Sequence, residues 1–264
     1  MDSTGGYIES GFVVDFYDSI YHQRRDIPFF LDWARYSRGP VLELGCGTGR
    51  ILIPIAKAGL QIVGIDQSSL MLSVCQKKLL NETEMVRSNV DDLVCRDMRQ
   101  FSLGRKFNLI TIPFYTFNYI LTIEDQLSCL SNIYQHLNKG GRLILDLPNP
   151  YLPYLIEDNY YTEFGEEPEF ILDDGRVGTR RYCITSRDLS NQIIYSDVVY
   201  YVSHPDGLQD RLVNHLSIRY LFRYEAEHLL LRCGFSVEEV FADYDKSAFG
   251  SKYPGELIFI ARKK

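Results

Sequence analysis

The sequence predicts an α/β protein: a doubly wound, seven-stranded, mostly parallel sheet with an antiparallel β cap inserted into its order. Three observations predict it. Short apolar runs alternate with helical periods through the first 150 residues, the rhythm of βαβ units. A glycine-rich turn, Gly45-Cys46-Gly47-Thr48-Gly49, joins the first of these runs to the next helix. Beyond residue 150 the runs lengthen and are separated by Asp174-Gly175, Ser190-Asn191 and Pro205-Asp206-Gly207, signals of tight turns between antiparallel strands. The chain divides accordingly into residues 1–36 (helical), 37–150 (core), 151–220 (insertion) and 221–264 (completion of the core).

Residues 7–36 read as helical, with Phe16, Tyr17, Ile20 and Tyr21 at helical spacing. Gly39-Pro40 breaks the chain, and Val41 to Leu44 is a short apolar run of the kind found in buried strands. Arg50 to Ala58 carries Ile51, Leu52, Ile55 and Ala56 at a helical period, with Gly59 as its stop. Ile62 to Ile65 is the second strand. Ser68 or Ser69 can cap the following helix, which presents Met71, Leu72, Val74, Cys75 and Leu79. Leu93 to Cys95, Phe107 to Ile112 and Arg142 to Leu147 are strands three to five, with a helix from Asp125 to Leu137 before the last. The insertion contributes Val177–Ser186, Ile193–Val202 and Arg211–Tyr220. A helix from Tyr224 to Arg232 stops at Gly234, and Phe235–Phe241 and Leu257–Ala261 complete the sheet.

Composition narrows the function. The 264 residues are 45% hydrophobic, enough to bury a sizeable core. No stretch approaches the ~18 apolar residues that span a bilayer. Met1 to Gly6 has neither the basic region nor the apolar run of a signal peptide. A formal charge of -7 argues against a nucleic-acid partner. The six cysteines form no C-x-x-C and no zinc-like spacing, as expected of reduced thiols in a cytoplasmic protein that holds no metal.

The chemistry concentrates around Val41 to Arg50, where a strand enters a glycine turn and leaves as a helix. Glycine there allows positive φ and lets a ligand approach the main chain without meeting a Cβ. The pattern is G-x-G-x-G with Glu43 two residues before the first glycine. A dinucleotide fingerprint needs a glycine where Arg50 stands, so an NAD(P)-dependent oxidoreductase is disfavoured. Asp66 ends the second strand 17 residues after Gly49, the place of an acid that holds two ribose hydroxyls. Asp97-Met98 follows the third strand, where a carboxylate can take an adenine amino group and Met98 and Met71 offer soft apolar contact. All of these fall at the carboxyl ends of parallel strands, where open α/β sheets bind ligands.

These pieces resemble the class I methyltransferases that use S-adenosylmethionine (SAM) and release S-adenosylhomocysteine. The matching stretches are E-L-G-C-G-T-G-R (43–50), G-I-D-Q-S-S-L-M-L (64–72), D-M-R-Q-F (97–101) and L-x-K-G-G-R-L-I-L-D (137–146). Within the class the chain is most similar to small-molecule N-methyltransferases, of the nucleotide-linked amino-sugar and glycine/sarcosine types. Shared features are Tyr17-Asp18, D-M-R-x-F-S-L-G-R at 97–105, and the antiparallel insertion. The resemblance implies a Rossmann-like fold, with residues 1–36 as a lid and 151–220 as a roof over the acceptor. It implies that Gly45, Cys46 and Gly47 line the methionine part of SAM, and that Glu43 and Gly49 also belong to the cofactor site. Asp66 would hold the ribose, Gln67 and Met71 would flank the adenosine, and Asp97 with Met98 would hold the adenine. Main-chain groups of Pro113 and Phe114, with Tyr21 and Arg25, would meet the methionyl end; Arg25 can pair with a carboxylate.

Methyl transfer from a sulfonium is an in-line displacement that asks mainly for alignment. An amine acceptor must arrive neutral and a hydroxyl must lose its proton. Tyr17, Tyr115 and Tyr119 are the expected acceptor-side residues, with His22 and His215 as weaker candidates. Tyr17 matches a tyrosine of the amino-sugar enzymes, whereas at Tyr119 those enzymes tend to carry His. Tyr17 and Tyr21, one helical turn apart, also suit a core stripe, and Tyr182, Tyr195 and Tyr201 suit either a roof or simple cross-strand pairs. The expectation is a small-molecule methyltransferase, monomeric or homodimeric, with nitrogen preferred over oxygen. An RNA methyltransferase of the same fold is the rival that the acidic balance disfavours.

Overall fold

A computed structural model describes residues 11–21, 25–165 and 167–264. The helical stretch at the start resolves into two helices, α1 (Gly11–Tyr21) and α2 (Ile27–Ser37). The sequence carries the reason: Pro28 sits in the first turn of α2, where a missing N–H costs no hydrogen bond, and starts a helix there. The chain forms two compact units, Met1–Gln23 with Leu152–Tyr220 and Arg24–Tyr151 with Leu221–Lys264. The division thus falls between the two helices, and α2 belongs to the larger unit.

In that larger unit α2 is followed by β1 (Val41–Leu44), α3 (Leu52–Lys57), β2 (Ile62–Asp66), α4 (Ser69–Leu80), α5 (Glu84–Asn89) and β3 (Val90–Cys95). Then come β4 (Phe107–Ile112), a 3₁₀ turn (Thr116–Tyr119), α6 (Ile123–His136) and β5 (Leu137–Pro148). Ser68 caps α4 by accepting from the Met71 N–H at 3.3 Å, and Thr122 caps α6 through the Asp125 N–H at 3.1 Å. The short helix α5 was not expected from the sequence; its cap, Thr83, accepts from the Val86 N–H at 3.4 Å. β5 begins five residues before the expected Arg142, because Phe107 of β4 pairs with Leu137 ahead of a register shift.

The other unit holds α7 (Leu152–Ile156), β6 (Glu163–Phe164), β7 (Phe170–Ile171), β8 (Val177–Asp188), β9 (Ile193–Ser203) and β10 (Gln209–Arg219). β8, β9 and β10 form the expected antiparallel meander, with β6 and β7 pairing against β8. One face carries Val198, Tyr200 and Val202, and α1 lays Val13 and Phe16 into the same cluster. The Phe16 ring lies 5.7 Å from Phe170 and 5.9 Å from Tyr200, aromatic pairs that add to plain apolar burial.

The chain then returns to the larger unit as α8 (Arg223–Arg232), β11 (Phe235–Phe241) and β12 (Glu256–Lys263). The completed sheet runs β11-β12-β5-β4-β1-β2-β3. β12 is antiparallel to both of its neighbours, and the strands from β5 to β3 are parallel to one another. β1 to β4 therefore connect by crossovers, which places helices on both faces. On one face Leu42, Leu44, Ile110 and Leu145 pack with Leu130 and Ile133 of α6 and Leu230 of α8. On the other, Val41, Ile62, Leu109 and Ile144 pack with Phe30 of α2, Leu52 and Ile55 of α3 and Cys75 of α4. All four residues of β1 are buried, as fits a strand covered on both sides.

Candidate active site of the larger unit

The carboxyl ends of β1, β2 and β4 converge. The Gly45 and Cys46 N–H groups both donate to Ile65 O, at 2.8 and 3.0 Å, which ties the glycine turn to β2. Gly45 and Gly47 have φ of 73° and 54°, a region that favours glycine. They serve different ends. A Cβ on Gly45 would stand 2.5 Å from Thr116 Cγ2, so the first glycine lets the turn after β4 approach. A Cβ on Gly47 would meet nothing within 4 Å, so that glycine faces open space.

Asp66 is held across this turn. Its Oδ2 accepts from the Gly47 N–H and its Oδ1 from the Ser68 N–H, both at 2.8 Å. Burial raises its carboxyl above the ordinary value, and hydrogen bonds from Ser68, Gly47 and Gln67 pull in the other direction. Glu43, within β1, is 2% exposed, and its Oε2 has no hydrogen-bond partner. Burial pushes its carboxyl well up, with Arg50 opposing. Cys46 is buried and its thiol is likewise pushed up by burial, which suits a lining residue and not a nucleophile.

Arg50 does not turn toward the open side. Its guanidinium pairs with both oxygens of Asp26, at 2.6 and 2.8 Å, and lies 5.6 Å from the centre of the Phe114 ring. Asp26, immediately before α2, has a fully buried side chain.

Asp97, after β3, is engaged within the chain. Arg99 donates to it from its backbone N–H, Nε and a terminal nitrogen, and also pairs with Asp125 at 2.8 Å. Burial would raise the Asp97 carboxyl, but these bonds hold it below its usual value. Met71 is buried, and Met98 packs against the core cluster. Gln67 and Arg25 are exposed.

After β4 the backbone turns sharply. Phe114 and Tyr115 take φ of 54° and 60°, two consecutive non-glycine residues in the left-handed region. The Phe114 N–H donates to Asp146 Oδ2 at 2.8 Å, and the Tyr115 hydroxyl donates to Glu256 Oε2 at 2.6 Å. Pro113 is buried and Tyr119 half-buried, at the end of the 3₁₀ turn. Sequence reasoning missed Asp26, Asp146, Glu256 and Arg99 as partners of this region. Asp146 and Arg99 carried a local signal, in the stretches L-x-K-G-G-R-L-I-L-D and D-M-R-Q-F; Asp26 and Glu256 carried none.

In the smaller unit the rings of Tyr17 and Tyr21 lie 4.8 Å apart. The Tyr21 hydroxyl accepts from Arg180, whose guanidinium stacks 4.7 Å from the Tyr21 ring and pairs with Glu167. Tyr182 donates to Glu167 at 2.8 Å, and Tyr201 donates to Glu163 at 2.8 Å. His215 Nδ1 sits 2.6 Å from Asp197 Oδ1 on an exposed edge. His22 lies outside the described residues. Among the described residues no group of His, Cys, Asp and Glu is placed to hold a metal, and no helix is long and apolar enough to cross a membrane.

The sheet order is that of the class I methyltransferase fold, and comparison with known proteins points the same way. Residues 41–141 match the methyltransferase domain family. A protein of Geobacillus sp. (strain WCH70) assigned to the methyltransferases is 26% identical over 235 residues, 88% of this chain and 87% of its own. The dTDP-3-amino-3,4,6-trideoxy-alpha-D-glucopyranose N,N-dimethyltransferase of Streptomyces venezuelae is 30% identical over 106 residues, 40% of this chain and 41% of its own. The SAM-bound structure of CalS10, an amino pentose methyltransferase from Micromonospora echinaspora, has the same fold. Its TM-score is 0.71 at 21% identity, over 94% of this chain and 96% of that one. The protein is a SAM-dependent methyltransferase.

Proposed function

We propose that this enzyme methylates a small molecule at an amine nitrogen, and that the glycine turn with Glu43 and Asp66 forms its SAM site. One observation carries the site. At the carboxyl end of the sheet an open glycine, a buried carboxylate oxygen without a partner and an acid fixed by two backbone N–H groups stand together. Buried polar atoms in native proteins have partners, and a donor of the ligand is the partner we assign to Glu43 Oε2. SAM supplies an activated methyl group on a sulfonium.

The roles of the chain's own residues follow. Asp66 is held with its carboxylate fixed at the end of β2, so it can accept from two ribose hydroxyls without reorganising. Gly45, Cys46, Gly47 and Gly49 present main chain, and Pro113 and Phe114 present theirs from the opposite turn. Gln67 and Met71 flank the adenosine. Asp97 retains acceptor capacity beside Arg99, since a carboxylate offers about four lone-pair sites, and with Met98 it faces the adenine. Within the larger unit Arg25 serves the methionyl end, and Tyr115 and Tyr119 the acceptor.

Nitrogen as the acceptor atom is supported by the likeness to the amino-sugar N,N-dimethyltransferase over the core. An amine needs only to arrive neutral, a smaller demand on the protein than ionising a hydroxyl. We place the enzyme in the cytoplasm, where buried thiols such as those of Cys46, Cys129 and Cys183 stay reduced. The test is transfer of an isotope-labelled methyl from SAM to nucleotide-linked amino sugars, simple amines and phenols, read by mass spectrometry. Label on an amine supports the reading. Label only on phenols overturns the nitrogen assignment, and calorimetric binding of NAD in place of SAM overturns the site.

A further inference from the structure

The left-handed pair Phe114–Tyr115 needs something to hold it, because such a conformation costs on the order of 1–3 kcal/mol per residue. The structure supplies a closed circuit of contacts. Asp146 Oδ2, fully buried near the end of β5, accepts from the Phe114 N–H at 2.8 Å. The same oxygen accepts from the Tyr244 hydroxyl at 2.9 Å. The Tyr244 ring stacks 5.9 Å from Phe29 and 6.3 Å from Phe30, both on α2. The residue before α2, Asp26, grips Arg50 with both oxygens, and Arg50 lies over the Phe114 ring. Phe114 is therefore fixed from two sides: its N–H by Asp146 and its ring by Arg50. Both supports trace back to α2.

We infer that Asp146, set by Tyr244, is a positioning residue that holds the Phe114 main chain in place for the methionyl end of SAM. This rests on the SAM-site reading above, in which that main chain meets the amino-acid portion of the ligand. Asp146 meets the turn at the Phe114 N–H and acts through Phe114. The adenosine portion depends on different residues, Asp66 and Asp97 on β2 and after β3. Loss of Asp146 therefore weakens one half of the ligand's contacts and leaves the other half intact. Nothing in the packing of β5 alone predicts such a division.

The test compares two ligands on the full-length protein by calorimetry. SAM carries both portions; 5′-methylthioadenosine carries the adenosine and lacks the amino acid. Asp146→Ala removes the acceptor of two hydrogen bonds and is expected to weaken SAM about tenfold, with 5′-methylthioadenosine unchanged. Asp146→Asn keeps an oxygen in place and should recover most of that loss. Tyr244→Phe keeps the ring on Phe29 and Phe30 and removes only one donor, so it carries the test if Asp146→Ala does not fold. Its expected effect is about threefold on SAM alone. Equal losses for both ligands, or no loss for either, would overturn the positioning role. If the parent protein binds neither ligand, or Asp66→Ala leaves both unaffected, it is the underlying site reading that fails.

Discussion

Glu43 and Asp66 are acids placed where the apo protein gains least from their charge. Burial raises the folded-state value of Glu43 well above its ordinary 4.5, so the protonated form favours the fold. That contribution is complete below the unfolded value and is lost as pH rises through the raised folded one. Glu43→Gln should therefore stabilise the ligand-free protein at pH 7, with the gain shrinking as the pH falls to the ordinary carboxylate range in urea titrations. The same variant should bind SAM more weakly. Such a trade is the signature of a functional site, where a locally unfavourable group is retained for its ligand. Asp66→Ala should lose SAM binding by calorimetry, roughly a hundredfold or beyond; unchanged binding would move the ribose elsewhere.

At the scale of elements, two contacts decide whether pieces stay joined. Asp26 and Arg50 tie the start of α2 to the glycine turn, with side-chain exposures of 0% and 9%. Removing one partner of a buried pair leaves the other charge unpaired, so Asp26→Ala should cost about 3–5 kcal/mol in chemical denaturation. In the smaller unit a Cβ on Gly178 would stand 2.1 Å from Phe170 Cζ. Gly178→Ala must displace a ring that packs under α1, and should cost about 1–3 kcal/mol.

These contacts also mark where the sequence was legible. The seven strands could be read because each is a local apolar run bounded by turn residues. Phe235–Phe241 matched to the residue, and Ser68 was one of two expected caps. The glycine turn was readable because its chemistry is local, from Glu43 to Arg50. The break between α1 and α2 was missed although Pro28 announces it. The partners of the site were illegible for a different reason. Asp146 lies 32 residues from Phe114, and Glu256 lies 141 from Tyr115. No periodicity connects such pairs; only the sheet order brings β4, β5 and β12 side by side. Asp97 was read as an open acceptor because its neighbour Arg99 could not be seen to fold back onto it.

Over the whole molecule, the two compact units each own a core. Hydrogen exchange should resolve them into two protection classes, with β1, β4, β5 and β12 among the slowest amides and the β8–β10 meander opening separately. A single common opening rate would show that they unfold as one. The acidic charge predicts passage through a heparin column at physiological salt, and retention would reopen the question of a nucleic-acid partner.

The pairing of α1 with the β meander has a consequence in time. Phe16 is synthesised 154 residues before Phe170 and still longer before Tyr200, the rings it settles against. At ~5–20 residues per second, α1 waits about 8–30 s on the ribosome before its first partner strand exists. Through that interval the residues of the larger unit between the two can begin to collapse, while an apolar helix stays without its berth. The nascent chain thus presents Val13, Phe16 and their neighbours to the cell's chaperones during synthesis. Variants that lengthen the delay between α1 and β8 should show it first as a loss of soluble yield.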